Sequence, residues 1–163
     1  MINLNPLSSK LLSSKVLLRT ITVFALVGFA DTTYLTVNHY LGVGVKCVLL
    51  EGCEIVLASQ YSEVFGIPLA LIGAVFYAGI FVLASMAEIY QNNLFVKLLV
   101  LVGALGFATS LVLLYLQIFV IGALCIYCLT SAVSSTAIFI TALVLNKNIK
   151  ISVQDRSSLG LVD

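Results

Sequence analysis

Apolar residues in this chain fall into three long runs, over 16–41, 67–87 and 94–145. The last run exceeds 50 residues and contains one charge, Lys97. A membrane-spanning helix needs ~20 residues, so this run has to hold two. Gly122, with Gln117 just before it, marks the turn between them. The pattern predicts four spanning helices, roughly 17–40, 67–88, 94–118 and 123–146. It predicts an all-α integral membrane four-helix bundle over 16–146, with a polar lead over 1–15 and a connecting loop over 42–66. The tail, 147–163, is short and polar and reads as mobile. Pro68 fits the first turn of the second span, where its missing N–H costs nothing. Gly103 and Gly106 on the third span, and Ser134 and Ser135 on the fourth, allow close helix approach.

Charge decides the orientation. Of the eight basic residues, Lys10, Lys15, Arg19, Lys97, Lys147, Lys150 and Arg156 fall at one end of such a bundle, and only Lys46 falls at the other. By the positive-inside bias both termini are cytoplasmic, and the 42–66 loop faces outward. Composition agrees. Hydrophobic residues make up 61% of the 163 residues and charged residues 9%. The mean hydropathy is +1.18. A chain of this length cannot hide that much apolar surface from water. The net charge of +1 excludes the basic face that a nucleic-acid binder needs.

Four cysteines carry the candidate chemistry: Cys47 and Cys53 in the outer loop, Cys125 and Cys128 at the outer start of the last span. All four lie on the side where an oxidising compartment is found. In a C-x-x-C at a helix start the two Cα atoms lie about 5 Å apart on one face, within disulfide range. The N–H groups there favour a thiolate. Cys47 and Cys53 enclose five residues that include Gly52, read as flexible, so they can close on each other or part. Lys46 favours a thiolate at Cys47. Three readings stand: two structural disulfides, a four-cysteine zinc site, or a two-pair relay by thiol–disulfide exchange. The relay is preferred, because a loop pair can visit a soluble protein whereas a membrane-edge pair can visit only something dissolved in lipid.

Within the spans, Asp31, Tyr34 and Asn38 share one face of the first helix. An intramembrane acid is a functional or cavity-facing residue by default. Asp31 and Tyr34 are taken as pocket or proton-path residues. Ser110 and Gln117 make a second polar stripe, expected to face the first or a cavity. Interhelical hydrogen bonding is the structural alternative for both. His39, at the outer end of the first span, reads as solvated or capping.

Several segments resemble the bacterial members of the vitamin K epoxide reductase family: Thr33-Tyr34-Leu35-Thr36, Gly52-Cys53-Glu54, Ser59, Phe65-Gly66-Ile67-Pro68-Leu69-Ala70, Gly73, Phe76-Tyr77 and Cys125-Ile126-Tyr127-Cys128. The resemblance covers about residues 20–140. It implies a four-helix bundle around a quinone pocket, with Cys125 and Cys128 as the redox pair at the quinone. It implies that Cys47 and Cys53 shuttle electrons from a partner, Cys53 exchanging with Cys125 and Cys128 reducing the quinone. Ser59, otherwise a helix cap or loop serine, matches the family's hydroxyl on a quinone oxygen.

Leu69 and Ala132 stand where the vertebrate enzymes carry asparagine and tyrosine, so quinone reduction is expected rather than epoxide reduction. Many bacterial members carry a fused thioredoxin-like domain; here a separate partner is expected. The resemblance thus implies a thiol:quinone oxidoreductase of the bacterial inner membrane, its site facing the periplasm. It would reoxidise a DsbA-type, thioredoxin-like dithiol protein and pass two electrons to a ubiquinone, menaquinone or phylloquinone type of acceptor. A DsbB-type oxidase shares this logic with its cysteine pairs in the opposite order. The alternative of another class is a membrane scaffold with two structural disulfides.

Overall fold

The computed structural model describes the backbone of residues 6–42, 45 and 52–158, and side chains within 13–42, 45 and 52–149. Cys47 and Lys46 lie outside the described residues. Helix α1 spans Pro6–Leu41, a short α2 spans Cys53–Leu57, α3 spans Leu69–Tyr90, α4 spans Asn93–Tyr115 and α5 spans Ile126–Ser158. A two-stranded ladder, β1 (Glu63–Val64) and β2 (Ile67–Pro68), pairs antiparallel between α2 and α3, with Glu63 opposite Pro68.

Four segments are long and apolar enough to cross a membrane: Ser13–Leu41, Leu69–Tyr90, Asn93–Ile121 and Ile126–Ile149. They answer to the four expected spans. Large apolar side chains such as Val75, Leu101, Leu105 and Val133 stay more than half exposed around the bundle. Hydrocarbon can accept that surface and water cannot. The protein is an all-α, integral membrane bundle.

The boundaries differ from expectation in four places. The first helix begins within the polar lead, at Pro6. The last helix continues through the tail expected to be mobile, as far as Ser158. Pro68 sits ahead of α3, at its cap with ψ 129°, rather than in its first turn. It closes the small ladder, whose turn places Phe65 and Gly66 at positive φ. The long apolar run breaks at Gly122 as expected, at φ 70°, but through a six-residue π-helical turn, Leu116–Ile121. Such wide turns are costly and gather at functional sites.

Between α3 and α4 the reversal takes two residues. Gln91 adopts the left-handed conformation that ends α3, and the Asn92 side chain accepts the Leu94 N–H at 3.0 Å to start α4.

Around the bundle the helices run α3, α1, α5, α4, with each neighbouring pair in contact. The end that carries the chain termini is solidly packed. Leu18, Ile21, Ala25, Ile80, Ala84, Leu99, Ile138, Ala142 and Leu145 form one core there. The other end is held by aromatic rings set against glycines. A Cβ on Gly28 would lie 2.4 Å from the Tyr77 ring, and one on Gly106 would lie 2.3 Å from the Phe76 ring. Gly103 lets α4 approach Phe139 of α5. The glycines on α4 thus serve the close approach expected of them. Tyr77, 2% exposed, crosses the bundle, and its hydroxyl donates to the Ser131 carbonyl at 2.8 Å.

Gly28→Ala should displace this ring and destabilise the bundle by about 1–3 kcal/mol, the usual cost of overpacking. Thermal unfolding in detergent measures it. A melting temperature equal to wild type would mean that the ring yields without loss.

Candidate active site

One backbone approach creates the site. A Cβ on Gly52 would lie 2.6 Å from the carbonyl oxygen of Leu124, so the entry to α2 lies directly on the turn that leads into α5. Gly52, read from sequence as a flexible position, is needed for closeness instead; its φ is an ordinary −86°. That approach carries Cys53 onto Cys125. The two are 1% and 0% exposed and share one buried cluster with Val56. Cys53 is disulfide-bonded, and Cys125 and Cys128 are free thiols.

Cys125 occupies the cap position immediately before α5, which starts at Ile126 rather than near 123. Its carbonyl accepts the Leu129 N–H at 3.0 Å, the first bond of the helix. Its sulfur receives a hydrogen bond from the Cys128 side chain and the backbone N–H groups of Cys128 and Tyr127. Those are the orphan donors that a capping oxygen normally satisfies. Together they pull the Cys125 thiol down to about 6, against the opposing effect of burial. The C-x-x-C at a helix start therefore yields a stabilised thiolate, as its position predicts.

Cys128 lies one turn further on and lines a cavity of about 250 Å³ at the loop end of the bundle. Its walls come from α1, α3, α4 and α5, and the segment from Val56 to Pro68 covers it. Apolar surface makes up most of the wall. Polar groups enter it at few points, among them Asp31, Ser59, Ser110, Gln117 and Cys128.

Ser59 caps the end of α2 and also faces the cavity. Its hydroxyl donates to the Val56 carbonyl at 2.7 Å at the end of α2, and the residue lines the cavity. Asp31 lines the cavity too, and its Oδ2 is buried without a hydrogen-bond partner. Tyr34 does not line it. Tyr34 is 47% exposed and sets its ring 5.4 Å from that of Tyr127. Asn38 donates to the Tyr34 carbonyl at 2.7 Å.

The cavity face of α1 is instead Asp31, Thr32, Leu35 and His39. At about 100° per residue, Tyr34 and Asn38 turn to one side of Asp31 and the cavity lies on the other. On α4, Ser110 shares a hydrogen bond of 2.7 Å with Ser135 of α5 and lines the cavity. That fits both readings of its stripe. His39 faces Glu63 at 3.4 Å and sits at the cavity rim.

Sequence reasoning missed two contributors, Tyr127 and Ser62, and one contact of Gln117, whose stripe was expected to face the first helix or a cavity and does line the cavity. Tyr127, inside the C-x-x-C, is a cavity wall. Ser62 accompanies Ser59 there. Gln117, 3% exposed, accepts the Cys125 N–H through its side-chain oxygen at 3.1 Å. The one available signal was an uncharged polar residue placed just before a glycine in an otherwise apolar run.

The site is thus a dithiol at the edge of an apolar cavity, buried beside a third cysteine at the start of α2. Residues 19–143 match the vitamin K epoxide reductase family. The chain belongs to that family. It is also 35% identical over 119 residues to "Thiol-disulfide oxidoreductase LTO1" of Arabidopsis thaliana. The match covers 67% of this chain and 31% of that protein, so the chain spans about a third of that relative's length. Family membership and the relative's printed name both speak for thiol-based oxidoreduction, the chemistry expected from the cysteines of this member of the vitamin K epoxide reductase family.

The Cys125 thiolate should form as pH rises through about 6 and be lost below it. The ultraviolet thiolate absorbance that disappears in Cys125→Ser should titrate with that midpoint. A midpoint near the ordinary thiol value of ~8.5 would contradict the capping geometry.

Proposed function

We propose that this protein is a membrane thiol:quinone oxidoreductase that reoxidises a separate thioredoxin-like dithiol protein and thereby supports disulfide formation. The observation that carries the reading is the continuity of sulfur from loop to cavity. Cys53 and Cys125 are buried together, and Cys128 lines an apolar cavity. Two structural disulfides would leave no such pair of free thiols.

In this reading Cys47 and Cys53 take electrons from the partner, Cys53 exchanges with Cys125, and Cys128 faces the acceptor. Each transfer between pairs exchanges one disulfide for another through a mixed disulfide. The last step forms the Cys125–Cys128 bond. The pair loses two electrons and the Cys128 proton; quinone takes both electrons and that proton, and draws its second proton through Asp31 to become quinol. A disulfide at Cys53 beside free Cys125 and Cys128 corresponds to the stage just before that step.

The residues present suit a quinone. The apolar wall fits a ring and a lipid-derived tail, and a few hydroxyls can orient the ring oxygens. Ser59 is proposed to donate to one of them. Asp31 is proposed as the proton path, since an intramembrane carboxyl without a partner is costly to keep for structure alone. Tyr34, on the far side of Asp31, drops out of the pocket and is left to pack on Tyr127. Residues 16–146 form the working bundle, 1–15 and 147–163 are its cytoplasmic extensions, and the 42–66 loop faces the periplasm of a bacterial inner membrane. Seven of eight basic residues at the opposite end support that orientation.

Purified protein, given a reduced thioredoxin-like donor and either ubiquinone or menaquinone, tests the reading. Cys128→Ser should abolish quinone reduction in a protein that still assembles in the membrane. Turnover close to wild type would remove Cys128 from the acceptor side.

Ser59→Ala and Asp31→Asn should each slow the quinone step while sparing thiol–disulfide exchange at the loop. For Ser59→Ala a lost neutral hydrogen bond of ~0.5–1.5 kcal/mol means about a two- to tenfold loss of rate. Quinone titration with a chemical dithiol donor bypasses the partner and reads both variants. Wild-type kinetics in both would move the acceptor site elsewhere.

A further inference from the structure

Gln117 stands out among the cavity groups because both of its acceptors are used on the same turn. Its backbone carbonyl accepts the Ala123 N–H at 3.1 Å, and its side-chain oxygen accepts the Cys125 N–H at 3.1 Å. A residue eight positions before the cysteine is brought under it by the π-helical turn and by Gly122 at φ 70°. An ordinary α-helical continuation has no room for both bonds, because its carbonyls are taken by N–H groups four residues on. With its oxygen committed to Cys125, the side-chain NH2 remains, and it reaches the Cys128 sulfur. The residue is 3% exposed, so neither contact is shared with solvent.

We propose that Gln117 is a positioning residue that grips both members of the C-x-x-C, fixing the Cys125 backbone and donating to the Cys128 sulfur, so that the dithiol is favoured over the disulfide. The inference rests on the reading of Cys125 and Cys128 as the redox pair. The chemistry follows from the donor's preference. An amide N–H bonds well to a thiol or thiolate sulfur and poorly to a disulfide sulfur, which has less charge to offer. Closing the Cys125–Cys128 bond releases two electrons and the Cys128 proton to an acceptor and forfeits the amide contact. Gln117 thus stabilises the reduced side of the couple, as a stabilised reduced form does in strongly oxidising dithiol proteins. An oxidising pair can still draw electrons from the loop.

The test isolates the pair in a Cys47→Ala, Cys53→Ala background and equilibrates it with graded ratios of reduced and oxidised dithiothreitol. Trapping by alkylation reads the fraction closed. Gln117→Met keeps the length and bulk of the side chain and removes its polar atoms. It should shift the equilibrium about two- to tenfold toward the disulfide, the scale of a neutral hydrogen bond. For a two-electron couple that is up to about 30 mV more reducing. If Gln117→Met does not assemble, Gln117→Asn keeps the amide but falls one methylene short, and the same shift is expected of it. An unchanged equilibrium in whichever variant folds overturns the proposal. Neither quinone nor a partner protein enters the measurement. A shift in a protein that fails to reduce quinone would therefore retire the proposed function and leave this inference standing.

Discussion

Hydrocarbon offers no partner to an N–H or a C=O, and the rest of this structure follows from that constraint. Regular helix satisfies the backbone inside each span. The constraint presses hardest where a span has to end and the next begin, because helix ends leave several groups unpaired. Between α4 and α5 the chain meets it with two devices. Gln117 turns back to serve two N–H groups across the Gly122 turn. Cys125 then caps α5 with sulfur in place of the usual oxygen. The Cys125 sulfur is therefore also a structural answer to an exposed helix end.

The bundle divides its work along its length. At the terminal end, small and branched apolar side chains fill the centre. At the loop end the helices are kept apart by large rings resting on glycines, Tyr77 on Gly28 and Phe76 on Gly106. Large rings against bare backbone give firm contacts at a few points and leave space between them. The Tyr77 hydroxyl, bonded to Ser131 on α5, ties that open region across three helices without filling it. A cavity can persist there because stability is supplied elsewhere.

The four spans were legible because a bilayer imposes a length and an apolar composition that a single chain displays directly. That Cys53 meets Cys125 and Cys128 at one end of the bundle was legible for a related reason: in a chain so poor in reactive groups, where the few cysteines fall along the spans is informative. Gly122 was readable as a turn. The π-helical form of that turn was not, since it depends on which carbonyls find partners after packing. The face of α1 that lines the cavity was misread at Tyr34 and Asn38, because three polar residues on one stripe do not say which flank meets a hollow. Gly52 shows the same limit. Its sequence neighbours suggest looseness, and only the carbonyl of Leu124 explains why no side chain fits there.

A sulfur that caps a helix links two equilibria. While Cys125 carries negative charge it satisfies the first N–H groups of α5 and faces the positive end of that helix's dipole. Once that sulfur enters a disulfide the charge is gone, and those amides lose their best acceptor. The first turn of α5 is then held less firmly in the oxidised protein than in the reduced one. In the proposed relay, electron flow through the pair becomes a rhythm of tightening and loosening at the start of one helix, next to a wall of the cavity. Amide hydrogen exchange at Tyr127 and Cys128 is where that rhythm is felt.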